Sequence, residues 1–209
     1  MILPQSFYNR SVLKVAQDLL GCFLVILPKG KSPTTNGAHA NKVILPKGKI
    51  TRYKIVETEA YNGPSDSASH ASKGQTERNK VMFGEPGIIY VYFTYGIHYM
   101  LNIVTGAKNY PAAVLIRAIE PADPNYQLPI TNYQYNGPAR LTKSLQINKS
   151  FNGLPIYEKK YGLWIESRKE IIKPGQIKKS TRVGVDYAKE YKNKKWRFYI
   201  KNNKFISKK

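Results

Sequence analysis

Two carboxylates lie two residues apart in an apolar, strand-like segment. Glu57 and Glu59 belong to the sequence Ile55-Val56-Glu57-Thr58-Glu59-Ala60-Tyr61, and the period of a strand places both glutamates and Tyr61 on one face. Acidic residues are depleted in strand interiors and in cores, so this segment is either an exposed edge strand or a functional one. A carboxylate whose pKa is raised by burial can act as a general base that deprotonates water.

A single arginine interrupts another apolar segment. Arg117 lies within Val114-Leu115-Ile116-Arg117-Ala118-Ile119, where a guanidinium needs an anionic partner. Glu57 and Glu59 are the obvious candidates. A buried glutamate–arginine pair is structural more often than catalytic, and the sequence leaves both interpretations open.

Tyrosines dominate the segment 90–99, which reads as two strands joined around Tyr95. A large aromatic side chain at a hairpin tip is either tolerated in solvent or inserted as a wedge into a partner. For Tyr90, Tyr92 and Tyr99, ordinary packing on the sheet competes with a role in stacking a flipped nucleobase.

The spacing of histidine and cysteine predicts no metal site. His39, His70 and His98 follow no metal-binding spacing, and Cys22 is the only cysteine. His70 comes after the loop Gly63-Pro64-Ser65-Asp66 and is either an exposed side chain or a hydrogen-bond donor in a pocket.

Charge and composition favour nucleic acid as the partner. The 209 residues include 34 Lys+Arg and 13 Asp+Glu, a net charge of +21, which favours nucleic acid over an acidic membrane surface or an acidic protein. The chain contains no stretch of about 18 apolar residues and no signal-peptide pattern. We therefore expect a soluble, cytoplasmic protein (nucleoid-associated if bacterial) with no membrane contact. We also expect it to be a monomer.

Hydrophobic patterning predicts one α/β domain over residues 1–209 with a mixed or antiparallel sheet. It includes helices at about 11–20, 76–82 and from Gly137-Pro138 onward, with Leu141 and Leu145 buried. The predicted strands are 22–27, 53–61, two strands around Tyr95, 112–120 and a half-buried strand at 196–200. Residues 28–50 form an elaborated loop that includes most of a duplicated VILPKGK, and 121–137 reads as a loop.

Several separated motifs resemble the alkyladenine (3-methyladenine) DNA glycosylase family. They are VETEAY at 56–61, YVYFTYG at 90–96, LIRAIEP at 115–121 and NGPARLTKSLQINKSFNG at 136–153. The resemblance implies a single compact α/β (α+β) domain with a curved, mainly antiparallel sheet, surrounding helices and a protruding β-hairpin, without a helix-hairpin-helix.

The resemblance also implies a chemistry. Glu59 matches the general base that activates water for attack on the anomeric carbon, and Arg117 matches the arginine that helps to hold this water. The enzyme implied is a monofunctional DNA-3-methyladenine glycosylase of base excision repair, which acts on damaged purines in double-stranded DNA, leaves an abasic site and needs no cofactor.

Five further residues match the family's base pocket and intercalating position. Tyr61 and Tyr92 match the tyrosines that sandwich the flipped base, and His70 matches a hydrogen-bond donor to that base. Asn102 matches the position that crowds the exocyclic amino group of guanine. Tyr95 matches the residue that fills the gap left in the duplex.

The basic residues Arg140, Lys143 and the segment 159–209 are candidates for phosphate contacts. Two other functions stay open at this point. A non-enzymatic, basic DNA- or RNA-binding protein accounts for the charge and the tyrosines, but it leaves Glu57, Glu59 and Arg117 unexplained. A glycoside or nucleoside hydrolase could use the two glutamates as an acid/base pair, although the positive charge disfavours a neutral sugar.

Overall fold

The computed structural model describes residues 1–27, 50–94, 96–123 and 134–208. Tyr95 and most of the predicted 28–50 loop with its duplication lie outside the described residues. The α-helices are α1 (Gln5–Tyr8), α2 (Val12–Asp18) and α3 (Pro138–Ser144). The strands are β1 (Phe23–Ile26), β2 (Thr51–Asn62), β3 (Ile89–Thr94), β4 (His98–Thr105), β5 (Ala112–Pro121), β6 (Leu163–Glu166), β7 (Ile177–Ser180) and β8 (Arg197–Ile200).

These eight strands form one antiparallel sheet in the order β3-β4-β5-β2-β1-β6, and β8 pairs with both β2 and β7. The predicted α+β class with a mainly antiparallel sheet is confirmed. Strand β2 lies inside the sheet, because β5 pairs along one side while β1 and β8 share the other. An exposed edge strand is therefore excluded as the reason for Glu57 and Glu59.

A β-bulge in β2 lies at the two glutamates. The register of β2 against β5 shifts between Ile55 and Glu57 and again between Glu57 and Thr58. On the other side of β2, pairing with β1 ends at Lys54 and pairing with β8 begins at Glu57. Bulges bend a strand and redirect its side chains, and here the bulge marks the point where β8 joins the sheet.

The principal core lies between the sheet and the helices. Val12, Val15 and Ala16 of α2 are buried, and the Thr58 hydroxyl donates a hydrogen bond of 2.8 Å to the Ala16 carbonyl. On α3 the predicted Leu141 is buried, and Pro138 occupies the first helical turn, where its missing N–H costs no hydrogen bond. This packing holds α2 against the central strand β2.

Three predictions about local structure were wrong in detail. The predicted helix at 76–82 is replaced by turns and a 3-10 helix at Lys80–Phe83, because the segment is short and ends at Gly84. Helix α2 ends at Asp18, two residues before the predicted end. Strand β8 is not half-buried, since Arg197 is only 4% exposed and its side chain pairs with Glu57 inside the protein.

Shorter 3-10 segments connect these elements; they are His70–Lys73, Lys149–Phe151, Lys159–Tyr161, Pro174–Gln176 and Lys189–Asn193.

Candidate active site

A cavity of about 310 Å³ opens over strands β2 to β5, and its wall includes Tyr61, His70, Tyr92, Asn102 and Arg117. The sheet brings these five predicted residues together from four strands and one 3-10 helix. The first residue of α3, Pro138, and the segment 183–185 complete part of the wall. A larger cavity of about 630 Å³, near Arg52 and Arg168, contains none of the predicted site residues.

Glu59 is fully buried directly behind this wall. Its Oε1 accepts a hydrogen bond of 2.8 Å from the Val183 backbone N–H. Its Oε2 accepts a hydrogen bond of 3.0 Å from the Tyr61 hydroxyl and lies 3.2 Å from Nη1 of Arg117. Since all three partners line the cavity, the carboxylate is separated from the cavity by one layer of donors.

The surroundings of Glu59 push its pKa in opposite directions. Burial raises the pKa of the carboxyl above its ordinary value, and the nearby Glu57 charge adds to this effect. Arg117, the Val183 N–H and the Tyr61 hydroxyl oppose it, yet the net direction is upward. A carboxyl whose pKa moves toward neutrality is a stronger base once it is ionised.

Glu57 has a different environment, although it is equally buried. Its Oε1 accepts hydrogen bonds from Nε of Arg117 (3.0 Å), Nη1 of Arg197 (3.1 Å) and Oγ of Ser207 (2.8 Å). Its Oε2 accepts the Ser207 backbone N–H at 2.5 Å. These donors occupy both oxygens, so Glu57 is suited to hold Arg117 rather than to accept a proton from a substrate.

An aromatic cluster forms another side of the cavity. The ring centroids of Tyr90 and Tyr92 are 5.4 Å apart, and the His70 ring lies 4.4 Å from Tyr92 at an angle of 78°. Burial raises the pKa of Tyr90 to about 12 and also raises the pKa of Tyr92. Both phenols are therefore neutral near pH 7.

His70 is oriented by Tyr90, because its Nδ1 lies 3.1 Å from the Tyr90 hydroxyl. The side chain lies at the exposed mouth of the cavity. Burial of one side of the ring lowers the pKa of His70, and the charge of Arg78 lowers it further. The imidazole of His70 is therefore neutral near pH 7.

Asn102 is held in place by the backbone of the β3–β4 hairpin. Its Nδ2 donates to the carbonyls of Tyr90 (3.2 Å) and Met100 (3.3 Å). These bonds fix the amide at the cavity wall and make it a rigid steric element there.

The two phosphate candidates lie on the exposed face of α3. Arg140 donates from Nη1 to Oδ1 of Asn136 at 3.0 Å, and Lys143 is exposed one turn further on. Helix α3 begins with Pro138 at the cavity wall, so its basic side chains are close to the opening. The intercalating position assigned to Tyr95 lies outside the described residues.

Sequence reasoning did not predict the ion pair between Asp66 and Arg182. Both side chains are fully buried, and the guanidinium contacts the two carboxylate oxygens at 2.5 and 2.8 Å. Arg182 also lies 4.8 Å from the centre of the Tyr61 ring and directly precedes Val183. It therefore supports both a ring and a backbone N–H that contact Glu59.

Two more residues were missed, Arg197 and Ser207, which bind Glu57. Tyr90 was considered for packing or stacking, but its contact with His70 was not predicted. The only signal for Arg197 was its place in a strand of alternating apolar residues, and nothing local in the sequence identifies Glu57 as its partner.

The family of the chain is identified by sequence comparison. A family model described as methylpurine-DNA glycosylase matches residues 41–204. The chain belongs to this family. The resemblance seen in the sequence is therefore confirmed.

Full-length relatives support the same conclusion. A protein of Carboxydothermus hydrogenoformans is 42% identical, with 100% of both chains covered. One of Methanocella arvoryzae is 41% identical over 99% of this chain and 96% of the relative, and one of Bdellovibrio bacteriovorus is 38% identical over 100% of both. Each is named "Putative 3-methyladenine DNA glycosylase".

The described part of the chain lacks two further features. It contains no group of three or more His, Cys, Asp or Glu side chains arranged to hold a metal ion. None of its helices has the length and apolar character needed to cross a bilayer.

Proposed function

We propose that this methylpurine-DNA glycosylase takes a damaged purine, flipped out of duplex DNA, into the cavity of about 310 Å³ and hydrolyses its N-glycosyl bond. The chain is a DNA-3-methyladenine glycosylase that acts in DNA repair, as its family and relatives indicate. One observation carries the mechanism: the cavity wall combines aromatic faces with all three partners of a buried carboxylate, Glu59.

Base flipping is needed because Glu59 lies inside the protein, beyond the reach of a base in intact duplex DNA. A nucleobase inside a duplex cannot reach Glu59, so the enzyme extrudes it and recovers the few kcal/mol lost in unstacking through contacts with the protein. Tyr61 and Tyr92 are proposed to stack on the two faces of the base, and Tyr95 to fill the gap in the duplex. Alkylated purines often carry positive charge, and neutral phenol rings attract a cationic base through cation–π interaction.

His70 is proposed to donate one hydrogen bond to the base. The imidazole is neutral and its Nδ1 lies beside the Tyr90 hydroxyl, and we propose the tautomer in which Nδ1 accepts a hydrogen bond from that hydroxyl. The ring proton then resides on Nε2, which becomes the donor toward the cavity. Asn102, fixed by two backbone carbonyls, is proposed to exclude the exocyclic amino group of guanine by steric contact.

Glu59 is proposed to take a proton from water as the water oxygen attacks the anomeric carbon. The C–N bond breaks, its electron pair leaves with the base, and an abasic site remains. Arg117 holds the glutamate and the water in place through Nη1. The water reaches Glu59 when the Tyr61 hydroxyl moves away from Oε2, or it binds beside that hydroxyl.

Binding to undamaged DNA is proposed to depend on the net charge of +21. Arg140 and Lys143 on α3 are proposed to contact phosphates next to the cavity, and such contacts carry no sequence information.

The test is the release of free base from duplexes that contain one 3-methyladenine, hypoxanthine or ethenoadenine, with a metal chelator present throughout. Glu59→Gln keeps the side-chain shape but removes the base, so we expect it to bind damaged duplex normally and to excise at least about 100-fold more slowly. Glu77→Gln, at a side chain that is 91% exposed, is the matched control. Normal excision by Glu59→Gln would refute the mechanism.

A further inference from the structure

The C-terminal segment 203–208, here called the tail, folds back over the buried charges next to the cavity. Asn202 adopts a positive φ of 59°, which reverses the chain after β8. Nδ2 of Asn203 then donates to Glu120 at 2.9 Å, and its Oδ1 accepts the Phe205 N–H at 2.8 Å. These contacts, with Phe205 packed against the core, bring Ser207 to a fixed position beside Glu57.

The hydroxyl of Ser207 uses its full hydrogen-bonding capacity. It donates to Oε1 of Glu57 at 2.8 Å and accepts from Nη2 (3.0 Å) and Nε (3.3 Å) of Arg117. A serine hydroxyl has one proton and two lone pairs, so it connects the carboxylate and the guanidinium directly. The neighbouring Lys208 carbonyl accepts a hydrogen bond of 3.0 Å from Arg197.

This arrangement fixes the orientation of the Arg117 guanidinium. Glu57 and Ser207 hold the edge that carries Nε and Nη2, and the opposite nitrogen, Nη1, is left facing Glu59 at 3.2 Å. A planar group held at two points along one edge cannot rotate freely. The position of Nη1 therefore depends on a residue that is 90 positions away from Arg117 in the sequence.

We propose that Ser207 is a positioning residue of the active site, which holds Arg117 in the orientation that sets the basicity of Glu59 and the place of the attacking water. The inference rests on the proposed function of Glu59 and Arg117. The tail then acts on the catalytic centre through Arg117, although no residue of the tail lines the cavity.

The first test compares Ser207→Ala, Ser207→Thr and wild type in single-turnover base release and in duplex binding. Ser207→Ala removes only the hydroxyl, and a misplacement of about 1 Å at a positioned group costs about 100-fold in rate. We expect excision to slow by about 10- to 100-fold with unchanged duplex affinity. Ser207→Thr restores the hydroxyl and returns most of the rate. Ser6→Ala, at an exposed serine of α1, is the matched control.

The pH profile separates positioning from simple destabilisation. The charged and titratable groups that act on Glu59 are Arg117, Tyr61, Glu57, Arg182 and Tyr92. Among them Arg117 is the strongest influence that lowers the Glu59 pKa. If Arg117 moves, that pKa rises and the acidic limb of the rate shifts to higher pH. A variant that is only less folded keeps the wild-type limb once rates are normalised to active enzyme.

Truncation after Ile206 extends the test, because it removes the Ser207 N–H, its hydroxyl and the Lys208 carbonyl together. We expect a larger loss of rate than for Ser207→Ala. Excision by Ser207→Ala at the wild-type rate and with the wild-type pH profile would overturn the proposal for the tail. A wild-type protein that releases none of the three bases would instead refute the proposed function, and the proposal for the tail with it.

Discussion

The buried pair Asp66–Arg182 makes a quantitative prediction about stability. Asp66 accepts two hydrogen bonds from Arg182 and one each from the backbone N–H groups of Asn62 and Ala68. In Asp66→Ala the two backbone N–H groups lose this acceptor, Arg182 keeps only the carbonyls of Ala60 and Tyr191, and its charge stays buried without a counter-ion. Removal of one partner of a buried ion pair costs about 3–5 kcal/mol of unfolding free energy.

The expected shift is large enough to measure. For a chain of this length, 1 kcal/mol corresponds to about 2–4 °C in Tm, so Asp66→Ala should melt about 6–20 °C below wild type. Domains of this kind have about 5–15 kcal/mol of total stability. Thermal melting followed by circular dichroism gives Tm, and urea unfolding gives the free energy.

Glu77→Ala is the matched control, because it removes the same charge from a side chain that is 91% exposed. Its Tm should equal that of wild type, since exposed ion pairs contribute little. The same substitution is also measured in the Arg182→Met variant, which lacks the partner charge. There, Asp66→Ala should lower the free energy of unfolding much less than in wild type, because the double variant contains no unpaired buried charge at this site. Equal costs in the two backgrounds would refute the explanation by charge pairing.

Two further predictions concern catalysis and DNA binding. Tyr61→Phe keeps the ring but removes a hydroxyl that lowers the Glu59 pKa, so the acidic limb of the single-turnover rate should move to higher pH; an unmoved limb would contradict the role of that hydrogen bond. Substitution of Arg140 or Lys143 by alanine should reduce the slope of log affinity against log salt by about 1 for each phosphate that the variant no longer neutralises. Duplex titrations at several salt concentrations measure this slope, and an unchanged slope would exclude these residues from phosphate binding.

Local patterns predicted most of the sheet because strand residues carry their own signal. The β-branched and aromatic runs of β2, β3 and β5 occur where the sequence placed them. The β-bulge in β2 had no such signal, since it arises where β1 ends and β8 begins to pair with the same strand. Its position depends on strand order, which periodicity does not encode.

The site residues also fall into those that the sequence could predict and those that it could not. Glu57, Glu59 and Arg117 were identifiable because charged residues are rare in apolar strands. Their partners were not, because Ser207 and Arg197 reach Glu57 across 150 and 140 positions of sequence. The alternating strand at 196–200 predicted Arg197 in solvent, and only the position of β8 against β2 shows that this arginine pairs with a buried carboxylate.

The balance of buried charge bears on the proposed binding of a cationic base by a protein of net charge +21. Among the described residues the buried charged side chains are three acids and three arginines, Glu57, Glu59, Asp66, Arg117, Arg182 and Arg197. Their charges cancel, and burial keeps His70 neutral near pH 7. The excess positive charge therefore lies outside the cavity, where it attracts phosphates, while a positively charged purine that enters meets neutral aromatic rings and no net repulsion from the buried groups. A protonated His70 would disturb this balance, so the ratio of the excision rates of 3-methyladenine and of the neutral hypoxanthine should fall as the pH falls toward the pKa of that histidine. Protonation of Glu59 slows both reactions and leaves this ratio unchanged, so a constant ratio would contradict the role of His70.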